Sequence, residues 1–186
     1  MLKRPHTGSR PRGSSEAARL MAFIATYQQA AATAVGVFRS AFGVSDPLRA
    51  WHQNELKPSG TFIAAEGTGH YQFHGSGCRF EVSGAAIDVD FGPSSRCDGF
   101  DTWRLHLFAT ENPHLTGWFA DRQRLERAFD RLIQSGTIVC PRWEPSPHLY
   151  YLAERVNGET SQMKTDAKPA ADAAVQGQTG ARAKKK

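Results

Sequence analysis

The sequence predicts an α+β domain with a long N-terminal helix and an antiparallel β-meander of about four to six strands. Helices should pack on one face of that sheet, with disordered termini beyond. Three observations carry this. Apolar residues recur at three- and four-residue steps from Leu20 to Phe42, the period drops to two between Thr61 and Phe91, and a second helical stripe precedes two short apolar runs.

The first helix starts at Ser14 or Ser15, good N-caps, with Glu16 in the first turn where the helix dipole favours an anion. Leu20, Phe23, Ile24, Tyr27, Ala31, Ala34, Val35, Phe38 and Phe42 form one stripe, and Gly43 and Pro47 close it. "DPLRAWHQNELKPSG" reads as a short helix or an irregular link. "TFIAA", "HYQFH", "CRFEVSG" and "AIDVDFG" then read as four strands separated by glycine-bearing turns, with Ser83-Gly84 as the tightest. Asp101 caps "TWRLHLFAT", where Trp103 and Leu107 stand one turn apart. Thr116 is expected to cap the last helix, whose apolar line is Trp118, Leu125, Phe129, Leu132 and Ile133, ending at Gly136. "TIVCPRW" and "HLYYLA" read as closing strands.

Length and composition suit one domain with tails: 186 residues, 40% hydrophobic, net charge +5. The boundaries expected are a basic tail over 1–14, the α+β domain over 15–154 and a second tail over 155–186, both tails disordered for want of apolar periodicity. The positive charge belongs to the tails. Residues 1–15 carry +4 and residues 156–186 carry +3, which leaves 13 basic against 15 acidic residues between them, a net of −2. A nucleic-acid-binding domain usually concentrates positive charge on a folded face, so only weak nucleic-acid contact through the tails is expected. Cys78, Cys97 and Cys140 form no CxxC pair and leave an odd thiol, which suits a reducing compartment. "LMAFIATY" with "ATA" at Ala32–Ala34 imitates an export signal, but the apolar run is short and Gln28 and Gln29 interrupt it. No membrane contact and a cytoplasmic location are the expectation.

The runs "FHGSGC", "IDVDFGP" and "DGFDTWRL", followed by "SPHLYYL", resemble in this order an uncharacterised bacterial domain family of unknown function. The resemblance covers about residues 62–152, with the first helix and both tails outside it. It implies a bacterial source, a soluble protein and a core built on these motifs. It brings no catalytic or binding role with it.

Two readings of the aspartates follow. Asp88 and Asp90 alternate with Ile87, Val89 and Phe91, so both should project from the face opposite the apolar row. His70, Gln72 and His74 share one face of an earlier strand. Brought together, His70, His74, Asp88 and Asp90 would make a divalent metal site, with His74, Asp88 and Asp90 catalysing hydrolysis through a metal-bound water. The other reading needs no cofactor. Outward polar residues are what a sheet buried on one side requires, Asp98 before Gly99 is a turn residue, and Arg79, Arg96 and Arg104 stand ready to pair with the acids. Asp88, Asp90, Asp98 and Arg104 would then be exposed binding residues of a module that docks another protein. A protein that neutralises a basic toxin is one instance, and on this reading Asp88→Ala costs little stability. An EF-hand fails because Gly92, Pro93 and Gly99 stand at ligand positions, and "HGSGC" lacks the lysine ending of a phosphate loop. His106 and His148 have no partner at metal-ligand spacing. Cys78 with His74 as base would make a nucleophile, but Cys78 sits in the apolar row with Phe80 and Val82. The balance favours a binding module over an enzyme.

Overall fold

A computed structural model describes residues 15–65, 67–82, 84–91, 97–141, 149–154 and 156. The expected N-terminal tail, the expected C-terminal tail apart from Val156, and Ser83, Arg96 and His148 lie outside them.

Helix α1 (Glu16–Phe42) begins where Ser15 accepts from the Ala18 amide and ends at Gly43, whose left-handed φ of 66° lets its amide reach the Arg39 carbonyl. Its buried stripe runs from Leu20 to Phe38. By length and composition α1 could cross a membrane, a test that buried core helices also pass. Pro47 occupies the first turn of α2 (Pro47–His52), behind the Asp46 cap. Four strands follow as a meander: β1 (Ser59–Ala64), β2 (Gly67–His74), β3 (Gly77–Val82) and β4 (Ala85–Asp90). They pair antiparallel in the order β1-β2-β3-β4, so β1 and β4 are the two edges.

One face of this sheet is apolar and lies under α1. Phe38 is its centre, with ring centroids 5.5 Å from Phe62, 4.9 Å from Tyr71, 6.0 Å from Phe73 and 5.4 Å from Phe80. Burying one such side chain contributes roughly 1.5–3 kcal/mol, and edge-to-face neighbours add to it. The fold is therefore the expected α+β arrangement of a long helix and further helices on an antiparallel sheet.

Three local expectations change. In α3 (Thr102–Glu111) the buried residues are Leu105, Phe108 and Ala109, while Trp103 is exposed, because the helix turns Phe108 onto Phe23 and Tyr27 of α1. The last long helix, α5 (Arg122–Gln134), is capped by Asp121 rather than Thr116. A short helix α4 (Pro113–Thr116) and a 3₁₀ turn (Gly117–Ala120) come first, which leaves Trp118 half exposed outside the α5 stripe. The closing strands β5 (Ile138–Val139) and β6 (Tyr151–Leu152) form a separate two-stranded ladder. Beside it, Phe100 and Tyr150 exchange backbone hydrogen bonds of 3.1 and 2.9 Å, which ties the segment before α3 to the C-terminal residues.

The β4 edge is sealed by side chains. The Phe91 amide donates to Ser76, so by alternation Ala86 and Asp88 direct their backbone groups away from β3. The fully buried Asn112 accepts from the Ala86 amide at 3.0 Å and donates to the Ala86 carbonyl at 2.7 Å, standing in for a neighbouring strand. Tyr27 donates its hydroxyl to the Asp88 carbonyl at 2.8 Å. Asn112→Ala should therefore cost about 1–3 kcal/mol by orphaning both Ala86 groups. Hydrogen exchange at Ala86 should accelerate with it, and an unchanged rate would show that the amide carries no such role.

Candidate functional site

Asp88 and Asp90 do leave the apolar row, but they do not reach solvent. Their exposures are 4% and 7%. At this end of β4 the first turn of α3 lies over the polar face of the sheet. Asp101, the N-cap of α3, accepts from the Arg104 amide at 2.8 Å, and this places the Arg104 side chain above the strand. Its guanidinium donates to Asp90 Oδ2 at 2.8 Å and to Asp101 Oδ2, and its Nε lies 3.2 Å from Asp88 Oδ1. The last contact is an ion pair without hydrogen-bond alignment, for both atoms lack a hydrogen-bond partner. Ser76 donates to Asp90 Oδ2 at 2.8 Å. One arginine thus joins three aspartates from β4 and the α3 cap.

His74 completes the cluster. Its Nε2 lies 2.5 Å from Asp88 Oδ2, while the ring stays 43% exposed. Gly77 makes this reach possible. It stands beside His74 in the β2–β3 register, and a Cβ there would lie 2.7 Å from the Val89 carbonyl and 3.2 Å from the imidazole Cε1. The ring passes over the strand between and meets the carboxylate on β4.

The burial of Arg104 works against its charge, but Asp101, Asp90, Tyr27 and Asp88 outweigh it and hold its pKa above the ordinary value. The guanidinium is therefore a permanent cation. It bridges the carboxylates where a metal ion would have to sit, and among the described residues no group of three or more His, Cys, Asp or Glu comes together to hold one. His70 lies opposite Glu81 and Thr61, apart from the aspartates. The four-residue metal set therefore separates into a His74–Asp88 pair, an Asp90 bound to arginine, and a distant His70.

The arginines divide their work differently from expectation. Arg104 pairs with the acids, but Arg79 turns to Glu111, 2.7 and 2.8 Å away, and to Glu81 at 3.2 Å. Asp98 is half-buried and meets α1 through its carbonyl, which accepts from Gln28 at 2.8 Å. Cys78 is fully buried, and burial pushes its thiol well above the usual range. It belongs to the core. His106 lies 3.5 Å from the Phe119 carbonyl. Chemically, a carboxylate locked behind an imidazole can orient a base. Ser76, the nearby hydroxyl, is committed to Asp90 instead.

A family model described as a domain of unknown function, DUF6896, matches residues 20–152. The chain belongs to this family. The match takes in nearly all of α1, so that helix is part of the DUF6896 span and not an addition outside the motif block. No curated protein and no solved structure matches the chain. The Asp88–Arg104–Asp101 cluster lies wholly within the DUF6896 span.

Ser76, Tyr27, Asn112 and Glu111 escape the sequence reading. Ser76 had a signal, since it sits between two glycines next to His74. Tyr27 and Asn112 act on backbone groups 61 and 26 residues away, and no spacing announces that.

Asp88→Ala should be costly rather than benign, because it takes one of three carboxylates from the buried Arg104 and removes the partner of His74. Arg104→Ala should cost about 3–5 kcal/mol, the usual loss when one partner of a buried ion pair is removed. At about 2–4 °C per kcal/mol, melting should fall by roughly 10 °C, and a fall under about 2 °C would show that the cluster does not hold the fold.

Alkali gives a second test. Burial raises the Tyr27 hydroxyl above its ordinary 10.0, although Arg104 opposes it. A group whose folded pKa is raised keeps its full stabilisation below the unfolded value and loses it as pH rises beyond that. Stability should therefore decline above about pH 10, with Cys78 contributing from about pH 9. Tyr27→Phe should be about 1 kcal/mol weaker at pH 8 but lose less between pH 9 and 11. Parallel urea-midpoint curves for the two proteins would contradict this.

Proposed function

We propose that the protein is a non-catalytic interaction module that engages another protein through the open polar face of its four-stranded sheet. The observation that carries the reading is the contrast between the two faces. Phe62, Tyr71, Phe73, Phe80 and Val82 are buried on one side. Ser59, Thr61, His70, Gln72, His74 and Glu81 are exposed on the other, with Arg79 half-buried among them. All of these but His74 line a shallow depression of about 430 Å³, together with Gly60 and Tyr71. Small-molecule sites are concave and mostly apolar, whereas this surface is open and mixed in charge. A macromolecular surface fits it better.

The burial of Asp88 and Asp90 moves the contact away from the acids. Neither carboxylate offers a free negative surface to a basic partner, so a toxin-neutralising role would have to use His70, Gln72, Arg79 and Glu81 instead. The aspartates support the face from behind, as the anchor of α3 at its edge. Three cysteines without disulfides suit a cytoplasmic setting for such a module.

Paired substitution of His70 and Gln72 by alanine tests this. Both side chains are exposed, so melting should stay within about 0.5 kcal/mol of the parent. Cross-linked partner recovered from the native host should fall at least tenfold. Undiminished recovery with the double variant, combined with loss on removal of residues 155–186, would transfer binding to the tail and end the proposal.

A further inference from the structure

The two edges of the sheet are treated differently. Asn112 and Tyr27 occupy the outward groups of β4, as described above. On β1 the Phe73 amide donates to the Pro58 carbonyl at 2.8 Å, which fixes Gly60, Phe62 and Ala64 as the residues bonded to β2. Ser59, Thr61 and Ile63 therefore turn their amides and carbonyls away from the sheet. Among the described residues nothing meets them. Edge strands are ordinarily protected by charge, by shortness or by a covering element. The run Ser59–Ala64 carries no charge, and Ile63 at its far end is 77% exposed. Beside it runs a groove of about 550 Å³ between β1 and α1, walled by Ala32, Thr33, Gly36, Val37 and Ser40. None of these is charged either.

We infer that β1 is a self-association edge, on which a second copy of this chain adds its own β1 antiparallel. The hydrogen-bonding pattern is self-complementary. With Thr61 opposite Thr61 of the second copy, Ser59 faces Ile63 and Ile63 faces Ser59, so all three outward residues of each strand find a partner of matching phase. A two-fold axis through Thr61, normal to the sheet, joins the two meanders into one eight-stranded sheet. It keeps both α1 helices on the same face, flanking the seam. Their small-residue walls then face each other across the groove, where the absence of long side chains permits close approach. Charge selects the occupant. An uncharged edge beside an uncharged wall gives a basic or acidic peptide no ion pair, while a second copy meets no like charge. The polar sheet faces of both copies remain open in this dimer.

Sedimentation equilibrium of the full chain, with hydrogen exchange at Thr61 and Ile63, tests the assignment. The expected result is twice the chain mass at micromolar concentration, with both amides protected in the dimer. Ile63→Lys places a charge on the seam and should weaken the dimer at least tenfold without lowering the monomer's helix content. Thr61→Pro removes an outward amide that β2 does not use, and should do the same. A monomer at all concentrations with fast exchange at both positions would overturn the inference. So would a monomer with protected amides, which would put another part of the same chain on the edge. A dimer whose mass survives both substitutions would equally refute it.

Discussion

The interaction on which the rest of the architecture leans is the contact of one guanidinium with three carboxylates. Arg104 is the point at which α3 is fixed to β4. Without it, the start of α3 would lie over a strand presenting two buried negative charges. With it, α3 is oriented so that Phe108 packs on Phe23 and Tyr27, and so that Asn112 reaches the edge of β4 at its far end. Buried ion pairs are poor sources of net stability compared with apolar substitutes, but they are selective about geometry. Here they tie the first turn of α3 to the end of β4.

Local physics made much of the fold legible. Ser15, Asp101 and Gly43 do what their side chains or lack of one suit them for, and the change of period at Thr61 marks the passage from helix to sheet. Burial alternates along β2 from Thr68 to His74, in keeping with the alternation that puts His70, Gln72 and His74 on one face. What alternation cannot say is whether a face meets water. Asp88 and Asp90 lie on the side opposite Ile87 and Val89, yet α3 returns over that side and closes it. The covering residue is 14 positions beyond Asp90. Trp103 is exposed for the same reason: the neighbours that α3 meets, and not its own spacing, decide which of its faces is buried.

The candidate site was legible by composition and not by role. His74 and Asp88 do meet, as two side chains on one sheet face can, but the partner that decides the chemistry is Arg104. A sequence shows aspartates and arginines in equal company whether they form a catalytic pocket or a structural clasp. Distances distinguish the two. Among the described residues the four-residue metal set does not come together, for His70 faces Glu81 across the β2–β3 ladder, a register fact that no motif contains.

The exchange of hydrogen bonds between Phe100 and Tyr150 has a consequence for how the chain may be shortened. Asp101, which follows Phe100 directly, both starts α3 and holds Arg104. Residues near the C-terminal end of the family span therefore brace a helix almost fifty positions upstream. Any excised version that stops ahead of Leu149 would lose the splint that keeps this cap in place, however complete its meander.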